Sequence, residues 1–371
     1  MRQTDICAFF ELVGAGLWEK EPQLLQYKNI NYEEVLCLAE EQSVVGLVAA
    51  GLEHIVDIKA PQEIVLQFVG EALQLEQQNN SMNEFIGKLI KQMRAAGIYA
   101  LLLKGQGIAQ CYEKPQWRAC GDVDLFLSKE NYDKAKNLLQ PLATSTETEY
   151  QYERHLGMII DPWTVELHGT LRSGLSSQVD KVLDELQNDI FCGGHVRSWM
   201  NNRTQVFLPG INADLIYVFT HILQHFYRGG IGLRQICDWC RLLWKNRGEL
   251  NLGLLESRII KMGLMTEWKA FGAFAVEYLG MPAETMPFYS SNRRWKRKAS
   301  RICTFILTVG NFGHKRDSSY FAKYSYLIRK SISMRRRLED LYNHAKIFPL
   351  DSFRFLPSIV INGLQSTVRG E

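Results

Sequence analysis

The most informative part of this sequence is the segment Gly121-Asp-Val-Asp-Leu-Phe-Leu127. Its apolar residues predict a β-strand, in which alternate side chains point to the same face. Asp122 and Asp124 then project together, while Val123 and Leu125 point to the opposite face. Two adjacent carboxylates repel each other unless a cation lies between them. Since Mg²⁺ takes carboxylate and phosphate oxygens together, the segment predicts a metal site, with a solvated strand end as the alternative.

The residues before this segment predict a phosphate-binding turn. Ile98–Leu103 is an almost wholly apolar run, typical of a strand buried on both faces. A short helical stretch through Tyr112 follows it. Between the two, Lys104 and Gly105 would offer positive charge and free amides at a helix N-terminus to a phosphate group. Glycine lets such a group approach the backbone closely.

A later hairpin supplies a third acid to the predicted metal site. Asp161-Pro-Trp163 is a turn signal between two apolar runs, Met158–Ile160 and Thr164–His168. Glu166 and His168 share one face of the second run. If that strand lies beside the first two acids, Glu166 completes a three-carboxylate site of the two-metal type used in phosphoryl transfer. The expected metal-binding and catalytic residues are Asp122, Asp124 and Glu166, and the expected nucleotide-binding residues are Lys104, Gly105, Arg118, Gly121 and His168.

Helical patterns flank these strands on both sides. Asn31 is predicted to cap one helix, and Pro61–Ala96 has a single apolar face. Further along, Asn212 is predicted to cap a helix ending at Arg228, and another helix is expected over Leu233–Lys245. The predicted fold class is therefore α+β, a mixed β-sheet core with N-terminal and C-terminal helical regions. The expected divisions are an N-terminal helical region (1–95), the core (96–210), a helical region packing on the core (211–290) and a basic C-terminal segment (291–371).

The composition is that of a globular protein, with 371 residues, 46% hydrophobic and 22% charged. The first residues contain acids and no cleavage pattern, and no apolar run approaches the roughly 18 residues of a membrane span. A cytoplasmic location without a transmembrane segment is therefore expected. Six of the eight cysteines are scattered singly and are interpreted as buried thiols. Cys237 and Cys240 form a CxxC pair, but no second pair completes a zinc site, so a structural role is favoured.

Charge is distributed unevenly along the chain. Residues 292–346 carry fifteen Lys or Arg residues against Asp317, Glu339 and Asp340, a net charge of +12 in a chain whose total is +3. This asymmetry indicates a polyanion contact through 292–346, with RNA, an anionic membrane or an acidic acceptor. A solvated face explains the same pattern and is slightly favoured.

Two segments carry a resemblance to a known family. They are Leu102-Leu-Lys-Gly-Gln-Gly-Ile-Ala-Gln-Cys-Tyr112 and Trp117-Arg-Ala-Cys-Gly-Asp-Val-Asp-Leu-Phe-Leu127. Together they resemble the patterns LLKGxxLAxxYY and LRxxGDIDLLV of the bacterial uncharacterised nucleotidyltransferases, in the polymerase-beta-like superfamily. The resemblance extends from Asn80 through Val165–His168 to the helices of His221–Leu243, roughly half the chain.

This resemblance implies a nucleotidyltransferase core that moves a nucleoside monophosphate from an NTP to an acceptor, with Mg²⁺ or Mn²⁺ as cofactor and pyrophosphate as the leaving group. It implies that Asp122 and Asp124 bind metal with Glu166 as the third carboxylate, and that Glu166 or a metal-bound hydroxide takes the acceptor proton. Lys104 and Gly105 stand where the wider superfamily has Gly-Ser, so Lys104 or a backbone amide would replace the serine hydroxyl. The acceptor, whether small molecule, protein or RNA, is not specified.

Two other functions stay open. One is a non-catalytic nucleotide-binding or interaction protein, for instance a partner in a toxin-antitoxin or surface-polysaccharide system. The other is RNA binding or RNA end-processing through the basic segment. Among the remaining polar pairs, His221 and His225 are interpreted as packing or hydrogen-bonding residues, because residue 222 is Ile and the zinc-protease motif is absent. Arg234 and Asp238 are predicted to form a surface ion pair, or else to line the nucleotide cleft.

Overall fold

The computed structural model describes residues 2–56, 60–150, 154–310 and 326–357. Seven strands within these ranges form one mixed sheet in the order β3-β4-β5-β2-β1-β7-β6. The strands are β1 (Ala100–Leu103), β2 (Asp122–Leu127), β3 (Ser145–Thr146), β4 (His155–Ile160), β5 (Trp163–His168), β6 (Val196–Asn201) and β7 (Thr204–Pro209). Strands β1 and β7 and strands β2 and β5 pair in parallel, and the other neighbours are antiparallel.

Helices precede, interleave with and follow these strands. They are α1 (Gln3–Trp18), α2 (Tyr32–Glu41), α3 (Val45–Glu53), α4 (Gln62–Ala95), α5 (Gly105–Ala109), α6 (Lys129–Leu139), α7 (Ser177–Gly193), α8 (Ile211–Arg228), α9 (Leu233–Lys245), α10 (Leu252–Met262), α11 (Met265–Leu279), α12 (Arg293–Val309) and α13 (Tyr326–Ile347). Residues 349–357 are also helical. The predicted α+β class is confirmed. In the described part of the chain, no helix is both long and apolar enough to cross a membrane.

Helix α4 connects the two hydrophobic cores of the molecule. Its 34 residues span about 50 Å at 1.5 Å per residue. Near its start, Ile64 and Phe68 pack into the helical core, which α1, α3, α8, α9 and α11 also build. Near its end, Ile86 and Leu89 pack with β1, β2 and β5 in the sheet core. The helix therefore fixes the sheet against the surrounding helices.

Several predicted elements are confirmed and others are corrected. The side chain of Asn31 caps α2 by accepting hydrogen bonds from two backbone amides. Asn212 is not a cap, because Gly210 takes the extended N-cap conformation directly after β7 and α8 starts two residues earlier than expected. The helical stretch after Gly105 ends at Ala109 rather than Tyr112. Helix α7 and the β6–β7 hairpin were not predicted. The domain boundaries stay a prediction.

Candidate functional site

Sheet register brings the three expected acids together. Strand β2 pairs in parallel with β5, so that Asp124 lies opposite Glu166. Asp122 lies two residues before Asp124 and shares its face. One oxygen from each of the three carboxylates lies within 4.8 Å of the others. The expected placement of the hairpin strand beside the first two acids is therefore confirmed.

Lys104 is directed at the same cluster. As the N-cap of α5 it has φ 49° and ψ −143°, a backbone conformation that side-chain-bearing residues rarely adopt. Its Nζ lies 2.9 Å from Asp124 Oδ1. His168 Nε2 lies 2.8 Å from the same oxygen. The ammonium of Lys104 and the imidazole of His168 thus both contact Oδ1 of Asp124. The other oxygen, Oδ2, is buried and has no hydrogen-bond partner among the described residues.

The electrostatics of the site reflect this crowding of charge. Repulsion from Asp124, together with burial, raises the pKa of Asp122, although Lys104 opposes the shift. Burial alone would lower the pKa of Lys104, but the negative charge of Asp124 raises it above its usual value. Burial would likewise lower the pKa of His168, which its hydrogen bonds to Asp124 and Glu166 raise instead. Lys104 and His168 are therefore the groups that balance the acids inside the protein.

His155 belongs to the site although the sequence did not indicate it. It lies on β4 directly opposite His168 of β5, and its Nε2 lies 3.1 Å from Glu166 Oε2. Burial would raise the pKa of Glu166, but the hydrogen bonds with His155 and His168 hold it well below its usual range. The predicted strand began at Met158, so His155 fell outside the hairpin register. Extending the antiparallel pairing by three residues would have found it.

Helix α8 forms the opposite wall of the site. A cleft of about 390 Å³ separates its polar stripe from Lys104, Glu166 and His168, and residues 170–173 close one side. The stripe consists of Tyr217, Thr220, His221, Gln224 and His225, spaced at three or four residues along one helix face. A cleft of this size accommodates a small-molecule ligand.

The two histidines of this wall contact each other. Nε2 of His221 and Nε2 of His225 are 3.0 Å apart, so their expected role as hydrogen-bonding residues is confirmed. Burial, with the nearby charge of Lys104, lowers the pKa of His221 well below its usual value. The same two causes lower the pKa of His225 to about 4. Both imidazoles are therefore neutral at physiological pH.

Arg118 lies behind the acids rather than in the cleft. Its guanidinium makes a buried bidentate contact with Asp238, at 3.0 and 2.5 Å, and Tyr112 donates to the same carboxylate. The prediction of an Arg234–Asp238 surface pair is wrong, because Asp238 is 3% exposed and Arg234 donates to the carbonyl of Ala119 instead. The Arg118 contact anchors the chain just before β2 onto α9.

The two glycines of the predicted site differ in what surrounds them. Gly105 has φ +42°, a backbone conformation that is strained for residues with a side chain. A Cβ there would also lie only 3.2 Å from Cys120 Sγ, so both the backbone and the available space favour glycine. Gly121 is exposed, and a Cβ there would meet no atom within 4 Å. Residue 121 therefore has room for a side chain.

The cysteines and the described part of the basic segment differ in exposure. Cys237 and Cys240 are buried free thiols inside α9, as expected, whereas Cys37 and Cys192 are exposed, contrary to expectation. Residues 311–325 of the basic segment lie outside the described residues. On α12, Arg293, Arg294 and Arg297 are exposed. The polyanion contact through 292–346 stays a prediction.

Comparison with known proteins gives one match. A family model described as uncharacterised nucleotidyltransferase matches residues 28–280. The matched range contains all seven strands and every candidate site residue described above. No curated protein and no solved structure matches the chain.

Proposed function

Because the chain belongs to the uncharacterised nucleotidyltransferase family, we propose that it transfers a nucleoside monophosphate from an NTP to an acceptor, in a reaction that depends on Mg²⁺ or Mn²⁺. The observation that carries the proposal is the meeting of Asp122, Asp124 and Glu166, of which Glu166 lines the cleft together with Lys104. The acceptor attacks the α-phosphorus, a new P–O bond forms, the bond to the bridging oxygen breaks, and pyrophosphate leaves.

The residues present fit a hard divalent cation. Asp122, Asp124 and Glu166 each offer a carboxylate oxygen, and these oxygens are close enough to share an ion. The buried Oδ2 of Asp124, which has no hydrogen-bond partner in the described part of the chain, is an acceptor that such an ion would satisfy. When bound there, divalent ions would hold phosphate oxygens and lower the pKa of an acceptor hydroxyl.

The other residues of the cleft have roles of binding and orientation. The Nζ of Lys104 lies 2.9 Å from Asp124. Once a divalent cation neutralises the acids, Lys104 is placed to contact a phosphate oxygen instead of this carboxylate. Glu166 is proposed as a ligand of the ion, because its carboxylate oxygen lies beside those of Asp122 and Asp124. His168, bonded to both Asp124 and Glu166, orients the two carboxylates.

Substitution of Asp124 tests this function. We expect Asp124→Asn to reduce transfer of labelled nucleotide from any NTP by at least about 100-fold, because a ligand carboxylate contributes several kcal/mol to charge stabilisation. The assay incubates the purified chain with Mg²⁺, each labelled NTP and cell lysate, and identifies the labelled product. Asp161→Asn, an exposed acid in the β4–β5 turn, is the matched control. Transfer by Asp124→Asn equal to that of the control, with both variants folded by circular dichroism, contradicts the mechanism.

One contact favours a second candidate, a nucleotide-binding protein without turnover. Lys104 supplies a built-in cation to Asp124, which is the charge that a catalytic ion would otherwise supply. Binding of Mg-NTP by the wild-type chain, with no labelled product in any lysate fraction, would support this candidate over the enzyme.

A further inference from the structure

Two imidazoles and one carboxylate converge beside the acid cluster. His155 and His168 are directly opposite each other on adjacent antiparallel strands, with ring centroids 4.8 Å apart. Glu166, two residues before His168 on the same face, places Oε2 3.1 Å from His155 Nε2 and 3.4 Å from His168 Nε2. The side chain of His155 is 23% exposed, that of Glu166 26% and that of His168 13%, so solvent reaches all three.

We propose that His155, Glu166 and His168 bind a divalent transition-metal ion of the zinc or cobalt class, at a position separate from the Asp122–Asp124 site but sharing Glu166 with it. The proposal concerns ion binding alone. It does not rest on nucleotidyl transfer, because it is measured without any nucleotide.

The spacing of the donor atoms fits a single ion. Ligand atoms about 2.1 Å from a tetrahedral zinc ion lie about 3.4 Å from one another. Glu166 Oε2 lies at 3.1 and 3.4 Å from the two imidazole nitrogens, and the three donors all fall within 4.8 Å of one another. Binding of an ion would replace the hydrogen bond between His168 Nε2 and Asp124 Oδ1, and rotation of the two rings would direct both imidazoles at the ion.

The donor types distinguish this position from the acid cluster. The Asp122–Asp124–Glu166 group offers only oxygens, which suit Mg²⁺. Imidazole nitrogens suit zinc, cobalt and related ions, for which Mg²⁺ competes poorly. Both histidines contact Oε2 of Glu166, which leaves Oε1 for the oxygen-only position. A carboxylate with two oxygens can bridge two adjacent ions in this way.

The cleft gives the proposed ion a fourth ligand position. His155, Glu166 and His168 all line the cavity beside α8. Three protein ligands with an open position toward a cavity is the arrangement of zinc sites that bind water or a substrate group, whereas structural sites are closed by four protein ligands. The ion would therefore be accessible to a substrate in the cleft.

Cobalt titration tests the proposal. The full chain, without nucleotide, is titrated with Co²⁺, and the visible absorption of the ion reports its ligands. We expect saturable binding of one Co²⁺ with the absorption of a nitrogen-ligated ion, which Zn²⁺ displaces and an equal concentration of Mg²⁺ does not. His155→Gln should weaken Co²⁺ binding at least tenfold, and His195→Gln, an exposed histidine before β6, should leave it unchanged.

Two further variants separate this position from its neighbour and guard against misfolding. Asp122→Asn should retain Co²⁺ binding within about threefold, whereas a loss equal to that of His155→Gln assigns the ion to the acid cluster and overturns the proposal. His155→Cys should retain binding and add a thiolate-to-cobalt absorption band. The absence of Co²⁺ binding to wild type, wild-type affinity in His155→Gln, or the absence of the thiolate band also overturns it.

Discussion

Lys104 combines backbone strain with a buried ion pair. Its positive φ is a conformation that favours glycine, yet a lysine stands there and its ammonium contacts Asp124. Holding a non-glycine residue in such a conformation costs on the order of 1–3 kcal/mol. The ion pair offsets this cost. The backbone strain and the ion pair therefore contribute to the free energy of unfolding with opposite signs, and two different substitutions of Lys104 can measure them separately.

We expect Lys104→Met to lower the free energy of unfolding by about 3 kcal/mol in EDTA, because it leaves Asp124 buried without its ammonium partner. Lys104→Gly should lose less, by about 1 kcal/mol, since it removes the same charge but relieves the strain. Urea denaturation measures both values. Added Mg²⁺ should stabilise both variants more than wild type, because the ion replaces the missing charge. Wild-type stability of Lys104→Met in EDTA would contradict this account.

At the scale of single residues, the sequence predicted the acids better than their surroundings. Asp122, Asp124 and Glu166 follow from the two-residue period of a strand, which is local information. The Lys104–Asp124 contact depends on a backbone dihedral that no sequence pattern specified. His155 depends on how far a hairpin extends, and Arg118 on a helix 120 residues further along the chain. Such contacts are set by tertiary packing rather than by periodicity.

At the scale of elements, close helix packing depends on glycine. A Cβ at Gly51 of α3 would lie 2.1 Å from the carbonyl oxygen of Leu12 in α1, and a Cβ at Gly16 would lie 2.0 Å from that of Leu47. Such distances are far inside van der Waals contact, so the two helices approach backbone to backbone. Gly70 of α4 has no atom within 4 Å of its built Cβ and provides a control.

We expect Gly51→Ala to lower the free energy of unfolding by about 2–3 kcal/mol, because the methyl group forces α1 and α3 apart. Gly70→Ala should instead raise it by about 0.5–1 kcal/mol through helix propensity alone. Thermal or urea denaturation of the two variants measures the difference. If both variants change stability in the same direction, the packing explanation fails.

Some elements with an apolar face were predicted, but helix α7 was missed although Val179, Leu183 and Leu186 form a buried face on it. Strand β2 lies within the predicted segment, and helix α9 has the predicted limits. Strand β6 alternates between exposed and partly exposed residues, so its pattern does not differ from that of a loop. The parallel pairing of β1 with β7 joins segments about a hundred residues apart, which local patterns do not specify.

At the scale of the whole molecule, the neutral histidine pair makes stability depend on pH. In the unfolded chain both imidazoles have pKa values near 6.5. In the fold, burial and Lys104 lower the pKa of His225 to about 4 and that of His221 well below its usual value. The unfolded chain therefore binds more protons, and this contribution to stability is complete above about pH 6.5 and is lost as pH falls toward 4.

We expect the double variant His221→Gln/His225→Gln to lose less stability than wild type between pH 6.5 and 4.5. Each histidine contributes a slope of up to about 1.4 kcal/mol per pH unit in this window. Urea denaturation at pH 7.0, 5.5 and 4.5 measures the slope, with His195→Gln as the control. If the double variant has the same slope as wild type, the histidine pair does not cause the loss of stability at low pH.

Helix α1 is synthesised early in translation, but it packs against α11, which is synthesised much later. Trp18 donates a 2.5 Å hydrogen bond to the carbonyl of Leu279, and Phe10 stacks edge-on against Phe274 and Tyr278. At about 5–20 residues per second, a ribosome needs roughly 13–50 s to add the 261 residues between Trp18 and Leu279. During that time α1 can already pack against α2 and α3 but lacks its contacts with α11. Trp18 and Phe10 therefore gain their last partners only after α11 has emerged.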